Sequence, residues 1–417
     1  MTRTRSHLRG PALTSLFSAG GVLVFLFGSG ILSARTLGPV ERGHFAVVTL
    51  VPNMLCQLAA LGISLALVHF VASGKIGARQ AVSLLKPIIA VQCVAVFVIA
   101  LLVGEVLNLN RSSHVQIAAA IAPLAVISSF GRDYGLALLQ ACGRVAEANA
   151  LRVLPAAIWS GAIAVVYVVE RGSLIAAITA FVAGDLLASA IIAARARVAV
   201  VASPTPAGCT TTRAEILRYG RRIYAGVLSP LENFNLDQFT VSLLHSPAGL
   251  GYYAIAASFT NISRVVAMNI GLTASPLVSA AHNRGYSPQA AARAFIGFTL
   301  AVTIAITVVL QIATTVLIPK LFGDDFLPAV PICHVLLLSG PIMAARRILV
   351  DTKRGAGRAV GSRAELLGMT TFVLLALWLG PAHGPIGIAW SFVAANGANL
   401  CLLVALEWGR SARARRG

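Results

Sequence analysis

One stretch of this chain puts costly side chains inside apolar sequence. Leu231 to Pro276 is a pair of apolar runs, broken at His245 to Gly249, that carries Glu232, Asp237, Asn261, Arg264 and Asn269. Ionisable groups in segments long enough to cross a bilayer are rare and expensive, and they mark function by default. At 1.5 Å per residue from the turn near Pro247, Arg264 lies about 25 Å along its helix, Glu232 about 22 Å and Asp237 about 15 Å. Depth therefore pairs Arg264 with Glu232. An arginine there offers paired donors to an anionic oxygen group of a ligand, with Glu232 competing for it; a structural ion pair locking the two helices is the plain alternative. Asp237 has no basic residue at matching depth. An isolated carboxylate in a membrane is costly when charged, which suits reversible binding of a proton or cation; an Asp at a wet outer vestibule is the other reading. Asn233 lies four residues before Asp237 and shares its face.

Other polar groups are weaker candidates. Asn53 and Gln57 sit beside Pro52 in the second apolar run. With Asn261 and Asn269 they offer amides to a polar ligand, or to neighbouring helices. Pro52 and Pro230 are expected to kink their helices. Arg132 and Asp133 lie within two helical turns of the end of their run near Gln140, where snorkelling accounts for Arg132. Asp185 is mid-run with no partner in sequence. His69, His245 and His334 have no ligand-spaced companions, and the six cysteines stand singly. Neither a metal centre, a cofactor nor a disulfide framework is expected. There is no GxxxxGK[ST], GxSxG or HExxH pattern, so the chain is not expected to be an enzyme.

The elements that must hold these residues are membrane helices. Of 417 residues 57% are hydrophobic and 11% charged, against about 25% charged in soluble domains. A mean hydropathy of +0.83 fits an all-α polytopic membrane protein. Twelve apolar runs occur, at 12–33, 43–71, 84–107, 115–139, 152–169, 174–194, 222–244, 250–278, 292–318, 329–350, 364–380 and 385–407. The first is long for a signal peptide and is needed in the repeat described below. The net charge of +19 is explained by topology rather than nucleic acid. Twenty-six of the 33 basic residues fall at the termini or in every second connection, Arg346 and Arg347 among them, and five fall in the other connections. By the positive-inside rule both termini are cytoplasmic. The polar stretch Arg195 to Arg222 divides the runs six and six. The expected domains are a six-helix bundle at 1–200, a cytoplasmic linker at 201–215, and a second six-helix bundle with a basic tail at 216–417.

The halves share features in order. Pro39-x-x-x-Gly43-His44-Phe45-Ala46 answers Pro247-x-x-x-Gly251-Tyr252-Tyr253-Ala254 at an offset of 208, which also places Asn53 on Asn261 and Cys56 on Arg264. Gly143-Arg144 answers Gly357-Arg358 at an offset of 214. Six spans per half give both halves one orientation, a parallel pseudo-twofold repeat.

On Ala34-Arg35-Thr36-Leu37-Gly38-Pro39 with Gly43, on Leu61-Gly62, on Asp237 with Gly251-Tyr252-Tyr253-Ala254, and on Leu317-Ile318-Pro319 with Phe322-Gly323-Asp324-Asp325-Phe326, the chain resembles the polysaccharide flippases of the O-antigen type. These belong to the MOP (multidrug, oligosaccharidyl-lipid, polysaccharide) transporter superfamily. The resemblance implies a twelve-helix transporter of the bacterial plasma membrane. It would flip undecaprenyl-pyrophosphate-linked oligosaccharide from the cytoplasmic to the outer leaflet by alternating access, with helices 1, 2, 7 and 8 lining the cavity. Substrate-binding candidates are Arg264, Glu232, Asn261, Asn53, Gln57 and Asn269; Asp237 is the ion-coupling candidate. Implied partners are the lipid-linked oligosaccharide, a proton or sodium ion, membrane lipids, and a polymerase and glycosyltransferases of the same pathway. The alternative is a proton- or sodium-coupled drug exporter of the same superfamily. A membrane scaffold for cell-wall assembly would tolerate neutralisation of Glu232, Asp237 and Arg264 together.

Overall fold

A bilayer leaves no water for backbone groups, so apolar sequence of this length has to be helical. In the computed structural model every regular element among the described residues is a helix. The backbone is described for residues 2–108, 111–204, 211–227, 229–283, 288–355 and 362–414. Side chains are described for these except 2–16, 225–227, 269, 271–283, 288–294, 352–355, 362–363 and 407–414.

The helices are α1 (Thr2–Ala59), α2 (Ile63–Ala72), α3 (Ala78–Asn108), α4 (Ser113–Ile121), α5 (Ala125–Ala141), α6 (Val145–Leu151), α7 (Leu154–Val169), α8 (Leu174–Ala202) and α9 (Arg213–Val227). After them come α10 (Pro230–Asn233), α11 (Leu236–Leu244), α12 (Pro247–Asn283), α13 (Pro288–Phe322), α14 (Ala329–Leu337), α15 (Ser339–Gly355) and α16 (Ser362–Ala414). Among the described residues eight stretches are long and apolar enough to cross a membrane. Two of them, Phe17–Ala59 and Ala364–Leu406, run 43 residues each. That is about 65 Å of helix, over twice the ~30 Å hydrocarbon thickness. Each carries a glycine with non-helical backbone, Gly38 (φ 70°) and Gly384 (φ 66°).

The chain forms two compact units, Met1–Leu228 and Ser229–Gly417. In the first, Phe45 stacks on Trp159 at 5.5 Å, and Phe181 meets Trp159 edge-on at 5.3 Å. Small residues let α5 and α8 approach closely: a Cβ at Gly135 would stand 2.7 Å from Ile192 Cγ2. The amphipathic α9 packs on α2 within this unit. In the second, Phe259, Phe322 and Phe326 are buried together, and α12 packs on α13, α14 and α15.

Four apolar runs expected as single helices are divided: 115–139 into α4 and α5, 329–350 into α14 and α15, and two others through left-handed residues. The run 43–71 parts at Leu61 (φ 49°) and Gly62 (φ 69°), between α1 and α2. Carbonyls at the end of α1 are taken up by side chains from distant sequence. Gln92 Nε2 donates to Ala59 O, and Tyr134 Oη donates to Gln92 Oε1 at 2.6 Å. Tyr224 Oη donates to Gln57 O. The run 222–244 parts into the end of α9, α10 and α11, with Asn235 left-handed at φ 47°, ψ 48°. The expected proline kinks are placed differently. Helix α1 carries on through Pro52 to Ala59, and Pro230 opens α10, a position where its missing N–H costs nothing. Three of the four motif stretches behind the resemblance fall on such breaks: Gly38 within α1, Leu61-Gly62 after it, and Gly323 (φ 108°) between α13 and a 3₁₀ turn at Asp324–Phe326; Asp237 and Gly251 to Ala254 lie within α11 and α12.

Candidate functional site: charges on the broken and buried helices

Three charged groups form a buried network in the second unit, and two of them, Arg346 and Glu365, were not anticipated. Glu232 stands on α10, whose four residues precede the left-handed Asn235. That turn changes the direction in which the next helix carries its side chains. As a result Glu232 does not meet Arg264, the partner expected from depth along an unbroken helix. It pairs instead with Arg346 of α15. The same guanidinium pairs with Glu365 in the first turn of α16 and donates to Ser229 Oγ at 3.1 Å. Ser229 Oγ in turn donates to Glu365 Oε2 at 2.8 Å. The Arg346 side chain is 5% exposed, so this is a buried network and not a topology-setting surface charge. Its neighbour Arg347 reaches Asp351 at 2.9 Å one turn on.

Asp237, on α11, is buried and accepts a hydrogen bond at 3.0 Å from the fully buried Tyr253 of α12. Its expected isolation from basic groups is therefore incomplete: Arg264 lies within electrostatic reach of it. Arg264 is exposed and makes no ion pair among the described residues. Asn261, half-buried, precedes it by three residues and shares its side of α12. Asn53 and Gln57 of α1 are both exposed and four residues apart, so they share a helix face. Asn53 spends one amide donor on Thr49 O at 2.9 Å. The side chain of Asn269 lies outside the described residues, as do Gly357 and Arg358.

The first unit buries its own charge pair. Arg132 Nη1 meets Asp185 Oδ1 at 2.6 Å, and Ser128 Oγ donates to Asp185 Oδ2 at 2.5 Å. Arg132 also reaches Asp133 at 3.5 Å. Snorkelling thus gives way to an ion pair between α5 and α8, and the orphan Asp185 has its partner. We expect Asp185→Asn to cost on the order of 2 kcal/mol, read as a lower unfolding midpoint in detergent. The loss stays below that of a fully desolvated pair because the Arg132 side chain is 26% exposed and keeps Asp133.

Arg132 and Arg346 stand 214 residues apart, the offset that relates Gly143-Arg144 to Gly357-Arg358. That spacing was the available signal for Arg346. Nothing local marked Glu365 or Ser229 as its partners.

These features define a helical multi-pass membrane protein with ion pairs held on packed helices. Among solved structures the chain is similar to the inward closed conformation of the lipid II flippase MurJ, at 15% identity over 94% of this chain and 86% of that one, with a TM-score of 0.76. It is similar to an inward-facing multidrug resistance MATE family transporter of the MOP superfamily, at 15% identity over 96% and 98%, TM-score 0.72. A MOP superfamily transporter from Pyrococcus furiosus aligns at 14% identity over 96% of both chains, TM-score 0.64. At such identities the likeness is one of fold. No curated protein sequence matches the chain. The sequence profile of the family described as "Polysaccharide biosynthesis protein" matches residues 32–331. The chain belongs to that family.

Proposed function

We propose that the chain is a transporter of the bacterial plasma membrane that flips undecaprenyl-pyrophosphate-linked oligosaccharide from the cytoplasmic to the outer leaflet by alternating access. Its twelve spans form two six-helix bundles related by a parallel repeat, with both termini cytoplasmic and the 201–215 stretch as their linker. One observation carries the reading: a chain of a polysaccharide biosynthesis family places an exposed arginine residue, Arg264, on an apolar helix with no ion pair among the described residues. Because Arg346 takes Glu232, Arg264 is left to offer its donors to a pyrophosphate. Asn261 assists on the same helix, and Asn53, Gln57 and Asn269 offer amides to sugars. Glu232 acts on substrate only through the Arg346 network. Asp237, with Tyr253, is the group through which a proton or sodium ion is coupled.

The test is flipping of a lipid-linked oligosaccharide in reconstituted vesicles. A charge-assisted hydrogen bond contributes about 1.5–3 kcal/mol, so Arg264→Ala is expected to slow flipping at least about tenfold, with Arg264→Lys retaining part of the rate. Undiminished flipping by Arg264→Ala removes that residue from the role. The fold shared with a multidrug resistance MATE transporter supports a second reading, a coupled drug exporter. A deletion strain that accumulates lipid-linked oligosaccharide decides for the first. A drug-sensitive strain without that accumulation decides for the second.

A further inference from the structure

The cluster that no transport role absorbs lies in the first unit. Glu41 and His44 stand one turn apart on α1, three and six residues beyond the Gly38 kink, and His114 is the second residue of α4. Glu41 Oε2 is 3.4 Å from His44 Nδ1, and Glu41 Oε1 is 3.3 Å from His114 Nε2. The three ligand atoms all lie within 4.8 Å of one another. The two imidazoles face each other edge-on at 6.4 Å between centroids.

Two distances decide how this cluster is read. A charge-assisted N–H···O bond is about 2.7–2.9 Å long, so the carboxylate is too far from either ring to be gripped strongly by hydrogen bonds. Zinc takes imidazole nitrogen and carboxylate oxygen at about 2.0–2.2 Å. A tetrahedron with such bonds has edges of about 3.3–3.5 Å; each imidazole nitrogen stands at that spacing from one oxygen of Glu41, His44 from Oε2 and His114 from Oε1. The His114 side chain is 44% exposed, so it is free to turn and bring its nitrogen toward the oxygen that faces His44. Nitrogen ligands with one carboxylate suit zinc-class transition metals over magnesium or calcium.

We propose that Glu41, His44 and His114 bind a zinc-class divalent cation through three protein ligands, leaving the fourth position to water. The neighbours limit the affinity without filling the site. Arg111 is a cation within electrostatic reach of His44. Arg42 lies over the Phe45 ring at 5.3 Å, and Ser112 Oγ is 3.5 Å from His114 Nε2. A bound cation joins α1, just past its kink, to the start of α4, and so braces the Gly38 bend within this unit.

The test uses the full chain in detergent, without a polyhistidine tag because the chain has eight histidines. The protein is stripped with chelator and titrated with Zn²⁺ by calorimetry, then with Co²⁺ by visible absorption. One saturable Zn²⁺ per chain is expected, with a Co²⁺ spectrum of four-coordinate intensity and a higher melting midpoint with Zn²⁺. Loss of a partner that only orients a metal ligand costs about 10–100-fold in affinity, so His44→Ala and His114→Ala should each cost at least that. Glu41→Gln keeps the shape and loses the charge. It should also weaken binding, and it carries the test if the histidine variants fail to fold. Absence of saturable Zn²⁺ binding overturns the proposal. So does Zn²⁺ affinity unchanged in Glu41→Gln or in a folded His44→Ala/His114→Ala double variant.

Discussion

Arg346→Met is expected to lower the unfolding free energy by roughly 3–5 kcal/mol, the cost of removing one member of a buried ion network. The Arg346 side chain is 5% exposed, Glu232 11% and Glu365 14%. Without the guanidinium, two carboxylates on α10 and α16 share a pocket with Ser229 and no counter-charge. The unfolding midpoint in detergent measures the loss. Adding Glu232→Gln and Glu365→Gln to Arg346→Met is expected to recover most of it, because a neutral buried set avoids the desolvation of charge. Arg346→Lys is expected to recover little. An ammonium lacks the planar fork that serves two carboxylates and a hydroxyl at once. Wild-type stability in Arg346→Met would show that the network contributes nothing net.

That network also marks where sequence stops being legible. The helical membrane class follows from apolar runs that each need their own backbone hydrogen bonds, and most runs match helices of the fold. Gly38 and Gly384 stand where successive runs were separated. The breaks inside runs were not legible, because what makes them tolerable is remote. Gln92 and Tyr224 serve the end of α1 from 33 and 167 residues away. The depth argument for Glu232 assumed an unbroken helix, and the left-handed Asn235 invalidated it. Arg346 was read with the basic residues that set topology, since composition cannot tell a surface arginine from one that three elements enclose. Glu41 and His44 are three residues apart in sequence and were not singled out, because His114 joins them only through the packing of α4 on α1.

Gly62→Ala is expected to be the most damaging methyl group the first unit can receive, at roughly 2–5 kcal/mol. Gly62 has φ 69°, where a Cβ costs about 1–2 kcal/mol in backbone energy alone. The added carbon would also overlap the Gly220 carbonyl oxygen and stand 2.8 Å from Tyr224 Cβ. A backbone carbonyl cannot rotate aside as a side chain does, so overpacking adds about 1–3 kcal/mol. Relief requires α9 to move off α2, which pulls Tyr224 Oη from Gln57 O. Gly74→Ala separates the two costs. Gly74 has φ 70°, and a Cβ there meets nothing within 4 Å, so it is expected to lose only the backbone share, about 1–2 kcal/mol. Leu61→Gly has the opposite sign: Leu61 holds φ 49° with its side chain 40% exposed, and glycine relieves that strain while giving up little burial. Unfolding midpoints of the three variants measure the series. The difference between Gly62→Ala and Gly74→Ala is the energy with which α9 is seated on the break. Equal losses in the two would mean that α9 yields freely and that the close approach at Gly220 does not hold the break in place.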